Sequence, residues 1–195
     1  MSATNLSPAA PDTTGHRPPL VVTLQDVAAA TGARIVQGDP QTPLGALDID
    51  SRRLTPGDWF LAHQGSTADG HDFLGVAREA GIAGAVVTRA NRLPADWDLP
   101  TLAVEDHAAF LDTLGSLIRT RFKGPVVGIT GSVGKTTCKH VLSHLLAHDR
   151  VVLATPWNWN TEIGVPLTLT RLLKSGADVC VLELAMRGEG QIAQL

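Results

Sequence analysis

Val126-Val127-Gly128-Ile129-Thr130-Gly131-Ser132-Val133-Gly134-Lys135-Thr136-Thr137 is the stretch that decides the fold of this chain. Val126 to Ile129 reads as a buried strand. Beyond Lys135 the spacing of Val141, Leu142, Leu145 and Leu146 predicts a helix with those residues on one side. A glycine-rich turn between strand and helix is the context a phosphate-binding loop requires. Gly131 and Gly134 let successive backbone N–H groups face one anion, and the helix start adds free N–H groups and the positive end of its dipole. Thr130, Gly131, Ser132, Val133, Gly134, Lys135, Thr136 and Thr137 are therefore the candidate ATP-binding residues. Lys135 carries charge to the β- and γ-phosphates, and the Thr136 hydroxyl is suited to Mg2+. The first glycine of the strict pattern would fall at Ile129, and Gly128 stands one residue earlier. Lys139, one turn further on, is expected to matter little.

Downstream, Val151-Val152-Leu153 reads as a strand. Leu167, Leu169, Leu172 and Leu173 suggest a helix, and Val179 to Leu182 a second buried strand. Alternating strands and helices imply a parallel sheet with helices on both faces. Glu183 ends the last strand. The carboxyl ends of parallel strands face such a loop, so Glu183 is a candidate metal ligand beside Thr136; the alternative is a solvated residue at a strand end. Three strands leave both sheet edges open. This unit is thus expected to be the incomplete start of a domain, and the isolated chain to be inactive as an enzyme.

Upstream, Thr23 caps a short helix, with Asp26 reaching back in a looser capping box and Gly32 as the stop. Ala46 to Asp50 alternates as a half-buried strand, Pro56-Gly57 turns, and Trp59 to Ala62 is a second strand. Phe73, Leu74, Val76, Ala77 and Ala80 predict a helix face closed by Gly81. Ala85 to Val87 and Thr101 to Val104 read as strands. Phe110, Leu114, Leu117 and Ile118 line a longer helix ending near Lys123-Gly124-Pro125. The fold class is α/β: a tail over 1–19, a small α/β domain over 20–123, and the first part of a parallel-sheet domain with a phosphate loop over 124–195.

Composition narrows the class. With 44% hydrophobic and 18% charged residues, the 195-residue chain is too apolar for disorder. No apolar run reaches the roughly 20 residues that span a bilayer, so no membrane insertion is expected. A net charge of −3 argues against a nucleic-acid partner. Two cysteines, Cys138 and Cys180, are expected to be buried free thiols in a reducing compartment. Met1 to Pro19 lacks the pattern of a secretory signal, and a cytoplasmic location follows.

Further motifs carry a family resemblance. Thr130-Gly131-x-x-Gly134-Lys135-Thr136-Thr137 with Gly128 ahead of it resembles the ATP loop of the Mur ligases. Asn158-Trp159-Asn160-Thr161-Glu162-Ile163-Gly164-Val165-Pro166 is similar to an Asn-rich stretch of that family. Leu182-Glu183-Leu184-Ala185-Met186-Arg187-Gly188 is similar to its segment around a metal glutamate. Asp50-Ser51-Arg52, Pro56-Gly57-Asp58 and Asp69-Gly70-His71-Asp72-Phe73 resemble its UDP-binding domain. Trp157 and Thr161 stand where Gly and Asn are common. The resemblance implies an ATP- and Mg2+-dependent amide ligase of peptidoglycan precursor synthesis, monomeric, acting through an acyl phosphate. Its implied substrates are UDP-N-acetylmuramoyl-tripeptide and D-alanyl-D-alanine. It implies Lys135, Glu183 and Asn160 as catalytic residues, with Asn160 placing the metal water or the substrate.

Several readings stay open. Arg52 is suited to fork onto a diphosphate and Ser51 to bond a uracil edge, with Ser66 and Thr67 as small polar groups for base and ribose; Arg52 as a surface charge at a turn is the alternative. His71 is either a base contact or a turn histidine. Trp157 and Trp159 either stack adenine or bury a loop. His140, His144 and His148 have the helical spacing of metal ligands but lack a completing acid or Cys. Packing explains Cys138 better than reactivity. Other classes are a ligase adding the third amino acid of the precursor peptide, a phosphate-loop kinase, and a non-catalytic fragment that binds a UDP-sugar.

Overall fold

The computed structural model describes residues 17–186, 188 and 190–194. The expected tail lies outside the described residues up to residue 16, as does Arg187. Two sheets carry the fold. The first contains β1 (Arg34–Gln37), β2 (Leu47–Asp48), β3 (Trp59–Ala62), β4 (Gly84–Val87) and β5 (Thr101–Ala103), in the order β1-β5-β4-β3-β2. Strands β2 to β5 are parallel, and β1 joins the edge antiparallel to β5. The second contains β6 (Val126–Ile129), β7 (Val152–Ala154) and β8 (Val179–Glu183), all parallel, with β8 central. The helices are α1 (Leu24–Thr31), α2 (Leu74–Glu79), α3 (His107–Arg121), α4 (Lys135–Leu146), α5 (Gly164–Thr170), α6 (Leu172–Ser175) and α7 (Gln191–Gln194).

The central strands of the first sheet are apolar on both faces. Trp59, Leu61, Val86 and Leu102 point into one cluster with α1 and α3, and Phe60, Ala62, Ala85 and Val87 into another with Leu74 and Ala77 of α2. That two-residue alternation is why near-continuous apolar runs form these strands. The larger cluster continues through the expected boundary near Pro125 to Val165, Leu167, Cys180 and Leu182. Helix α3 lies against α5 at Gly115, where an added Cβ would stand 3.2 Å from the Pro166 side chain. The two sheets thus share one core.

Polar contacts join the same halves. Thr170 Oγ1 accepts from Leu47 N at 2.9 Å, and Lys174 Nζ lies 2.8 Å from Asp58. Asp48, expected on the solvent side of its strand, is buried. It accepts from Arg53 at 2.9 Å, with Arg171 at 3.6 Å from its other oxygen. Asp48, Arg53, Asp58, Arg171 and Lys174 line a cleft of about 390 Å³ between the halves.

Other expectations are corrected. Val141 and Leu145 are exposed; α4 turns Lys139 inward and leaves Leu142 and Leu146 half-buried, a stripe at i, i+3 and i+7. Phe73 and Val76 are exposed as well, because the face of that segment turned to the sheet is Leu74 and Ala77, with Ala80 partly buried beside them. Cys138 is exposed on α4, and Cys180 is buried as expected. Strand β1 was not foreseen: it is a four-residue edge strand with a register irregularity and no fully buried residue.

The capping box of α1 forms as read, with Thr23 and Asp26 exchanging side-chain-to-backbone bonds. Asp26 also takes a bidentate pair from Arg121 of α3 at 2.7 and 2.8 Å. These bonds, Arg121 first, hold its carboxyl well below the usual range. A depressed folded-state pKa stabilises above the ordinary carboxylate value, and that stabilisation is lost as pH falls. Asp26→Asn should therefore lower stability by about 1 kcal/mol at neutral pH, with the gap starting to close only below about pH 4 and shrinking further as pH falls toward the depressed folded-state value. Urea denaturation across that range checks it; a gap independent of pH would contradict it.

Candidate functional site

Ile129 and Glu183 are register partners on the adjacent parallel strands β6 and β8. The glycine loop leaves the carboxyl end of β6, and Glu183 ends β8 directly beside it. Gly131 has φ of 143° and Gly134 of 79°, both in the region that favours glycine. Gly134 turns the chain into α4, whose first residue is Lys135. The lysine curls back over the loop, its Nζ donating to Gly131 O at 2.6 Å. Gly131, Ser132, Val133 and Thr137 are exposed along this turn.

Glu183 is only 3% exposed. Its Oε1 accepts from the Thr136 hydroxyl at 3.2 Å and from the Asn160 amide at 2.9 Å. Its backbone N–H donates to Thr155 Oγ1 at 2.9 Å. Burial pushes the carboxyl up, but the bonds from Asn160 and Thr136 and the charge of Lys139 outweigh it, so the group is held below its ordinary range and stays ionised. Its Oε2 is buried without a hydrogen-bond partner and has an ammonium at 3.4 Å. A carboxylate beside a hydroxyl at the mouth of a phosphate-type loop is a donor set that suits a hard divalent cation. Thr136 and Glu183 therefore fit Mg2+.

The structure brings Thr136, Asn160 and Glu183 into one hydrogen-bonded group, with Lys135 on the same loop. Ser51, Arg52, Ser66 and Thr67 share only an edge. They follow the neighbouring parallel strands β2 and β3, so both loops leave the carboxyl end of the first sheet. Arg52 is 85% exposed and forks onto Asp50, with both bonds at 2.8 Å. That fork holds the Asp50 carboxyl down to about 2. Ser66 and Thr67 are exposed.

The His71 reading closes. His71 is buried, and its Nδ1 lies 2.7 Å from Asp69 while Nε2 accepts from Arg89 N at 3.1 Å. With both ring nitrogens used, it is a turn histidine. Trp159 is buried in its loop, and Trp157 is exposed with φ of 46°. The Arg53 and Arg171 guanidiniums lie 4.8 and 5.1 Å from the Trp159 ring centroid, so these arginines occupy the aromatic faces. A left-handed backbone at Trp157 fits the position where Gly is common. Among the described residues, no cluster of three His, Cys, Asp or Glu could hold a metal, so His140, His144 and His148 form no site. No described helix is long and apolar enough to cross a membrane.

Residues 43–119 match the "Mur ligase family, catalytic domain", and residues 129–195 match the "Mur ligase middle domain". The chain belongs to the Mur ligase family. It is 39% identical over 150 residues to the UDP-N-acetylmuramoyl-tripeptide–D-alanyl-D-alanine ligase of Escherichia coli, covering 77% of this chain and 32% of that protein. The enzyme of the same name from Synechocystis is 42% identical over 149 residues, covering 75% and 32%. Among solved structures, MurF from Acinetobacter baumannii superposes with a TM-score of 0.71 at 32% identity, over 91% of this chain and 38% of that one. The MurF ligase from Thermotoga maritima in complex with ADP gives 0.57 at 38% identity, over 77% and 34%. The chain spans about a third of the length of the curated relatives it matches.

Sequence reasoning missed Lys139, which is buried rather than on the helix surface. It is 2% exposed, donates to Thr155 O at 2.9 Å and stands beside Glu183. The missed signal was its i, i+4 spacing from Lys135, which puts both on the face of α4 that meets the strand ends. Thr155, one residue past β7, carried no signal at all. For this Mur ligase chain the thiols give a simple check. Burial pushes Cys180 up to about 12, while Cys138 is open to solvent. Ellman's reagent at mildly alkaline pH should label one thiol in the native protein and two after denaturation. Rapid native labelling of both would contradict the packing of β8.

Proposed function

We propose that this chain carries the precursor-binding and ATP-binding machinery of an amide ligase that joins D-alanyl-D-alanine to UDP-N-acetylmuramoyl-tripeptide in the cytoplasm. The observation that carries the reading is the Thr136–Glu183–Asn160 group beside the glycine loop, in a member of this family whose relatives bear that ligase name. Residues 20–123 form the precursor-binding unit and residues 124–195 belong to the ATP-binding unit. The tripeptide carboxylate attacks the γ-phosphorus of ATP, releasing ADP and giving an acyl phosphate. The amine of D-alanyl-D-alanine then attacks the acyl carbon, and phosphate leaves as the amide forms.

In this reading the loop amides from Gly131 to Thr137 and the Lys135 ammonium offset charge on the transferring phosphoryl group. Thr136 and Glu183 would hold Mg2+, which when bound neutralises the β- and γ-phosphates. Asn160 orients the Glu183 carboxylate and places substrate or metal water. Ser51, Arg52, Ser66 and Thr67 take the UDP moiety at the carboxyl edge of the first sheet. Arg52 already holds a carboxylate bidentately through Asp50, the geometry with which it would meet a diphosphate.

The two halves are tested separately by calorimetry on the same chain. Lys135→Ala should weaken Mg2+–ATP binding by about tenfold or more and leave UDP-N-acetylmuramoyl-tripeptide binding unchanged. Arg52→Ala should weaken precursor binding by about 1–3 kcal/mol and leave nucleotide binding unchanged. A chain that binds nucleotide but no precursor would contradict the ligase reading and favour another phosphate-loop chemistry.

A further inference from the structure

We propose that Lys139 is a positioning residue that keeps the Thr136–Glu183 cation site closed to a free divalent ion until a nucleotide brings its phosphates. This inference rests on the reading of the loop as a nucleotide site. A fully buried lysine is rare unless it is paired, and Lys139 is 2% exposed. Its side chain leaves α4 on the same face as Lys135 and runs to the carboxyl ends of β7 and β8. There Nζ donates to Thr155 O at 2.9 Å and stands 3.4 Å from Glu183 Oε2.

Two consequences follow from that placement. The first is orientation. Lys139 draws Oε2 inward, while Thr136 and Asn160 meet Oε1 on the loop side at 3.2 and 2.9 Å. The carboxylate is held from both ends and presents one oxygen to the Thr136 hydroxyl. Thr155 ties the device to the strands, since its carbonyl takes the lysine and its hydroxyl takes the Glu183 N–H.

The second is charge. Lys139 and Glu183 sum to zero, so a cation approaching Thr136 meets one hydroxyl and one carboxylate already matched by an ammonium. A hard divalent ion needs several oxygen ligands and, usually, a net negative site. Nucleotide phosphates supply both. Removing the ammonium would leave the buried carboxylate unmatched, and the site would then attract a bare divalent ion. A merely structural lysine would not have that effect.

Mn2+ serves as the probe, with free ion measured by electron paramagnetic resonance at fixed pH, with and without ADP. The unsubstituted chain should bind Mn2+ at least about tenfold more tightly with ADP than without it. Lys139→Met should raise the ADP-free affinity about tenfold or more, and Glu183→Gln added to it should abolish that gain. Lys139→Arg, which keeps the charge, should stay as weak as the unsubstituted chain. Unchanged ADP-free affinity in a folded Lys139→Met chain would overturn the proposal. If that variant does not fold, the unsubstituted chain decides, because equal Mn2+ binding with and without ADP also overturns it. Failure of the unsubstituted chain to bind ADP is a separate result, which removes the nucleotide reading beneath it.

Discussion

The pairing of Ile129 with Glu183 across two parallel strands is the constraint on which the site depends. It puts the start of the glycine loop and a buried carboxylate side by side at one sheet edge. Everything else converges on that carboxylate. Thr136 arrives from the first turn of α4, Asn160 from the loop after β7, Lys139 from the second turn of α4, and Thr155 from the end of β7. A buried ionised group is costly unless it is paired and hydrogen-bonded. Here the partners that make its burial tolerable are also the groups that aim it.

The second sheet does not stand on its own packing. Cys180 and Leu182 of β8, with Val165 and Leu167 of α5, continue a cluster that begins at Val22 and Leu24 and runs through α3. The close approach of Gly115 to Pro166 and the Thr170–Leu47 bond fix the angle between the halves. Asp48, Arg53 and Arg171 sit at the same seam, with both guanidiniums against the tryptophans of the 157–160 loop. The loop that delivers Asn160 is therefore held partly by the first half of the chain through Arg53, which couples that half to the carboxylate in the other.

Much of this was legible in the sequence because the signals were local. The strand before Thr130, the turn glycines and the helix after Lys135 are consecutive, and Glu183 was found because strand ends in parallel sheets share a side. The capping box at Thr23 is likewise short-range. What was missed depends on tertiary partners. Val141 and Leu145 look like core residues by hydropathy but face outward, because the inward stripe of α4 is Lys139, Leu142 and Leu146. Asp48 alternates outward in its strand yet is buried beneath Arg53, five residues on, and Arg171, far along the chain. β1 is an edge strand with no core-facing run to betray it. Arg52, Ser66 and Thr67 are exposed, and the fold adds to their reading only that they share a sheet edge.

The central claim is that Glu183 gives this loop its response to a divalent cation. Titrating ADP into the chain and into Glu183→Gln, each with and without Mg2+, measures that response directly. The amide keeps the size and the bonds to Thr136 and Asn160 within reach but removes the charge. The account predicts that Mg2+ tightens ADP binding by about tenfold or more in the unsubstituted chain and by less than about twofold in the variant. An equal gain in both would show that the cation is held elsewhere and would contradict the account.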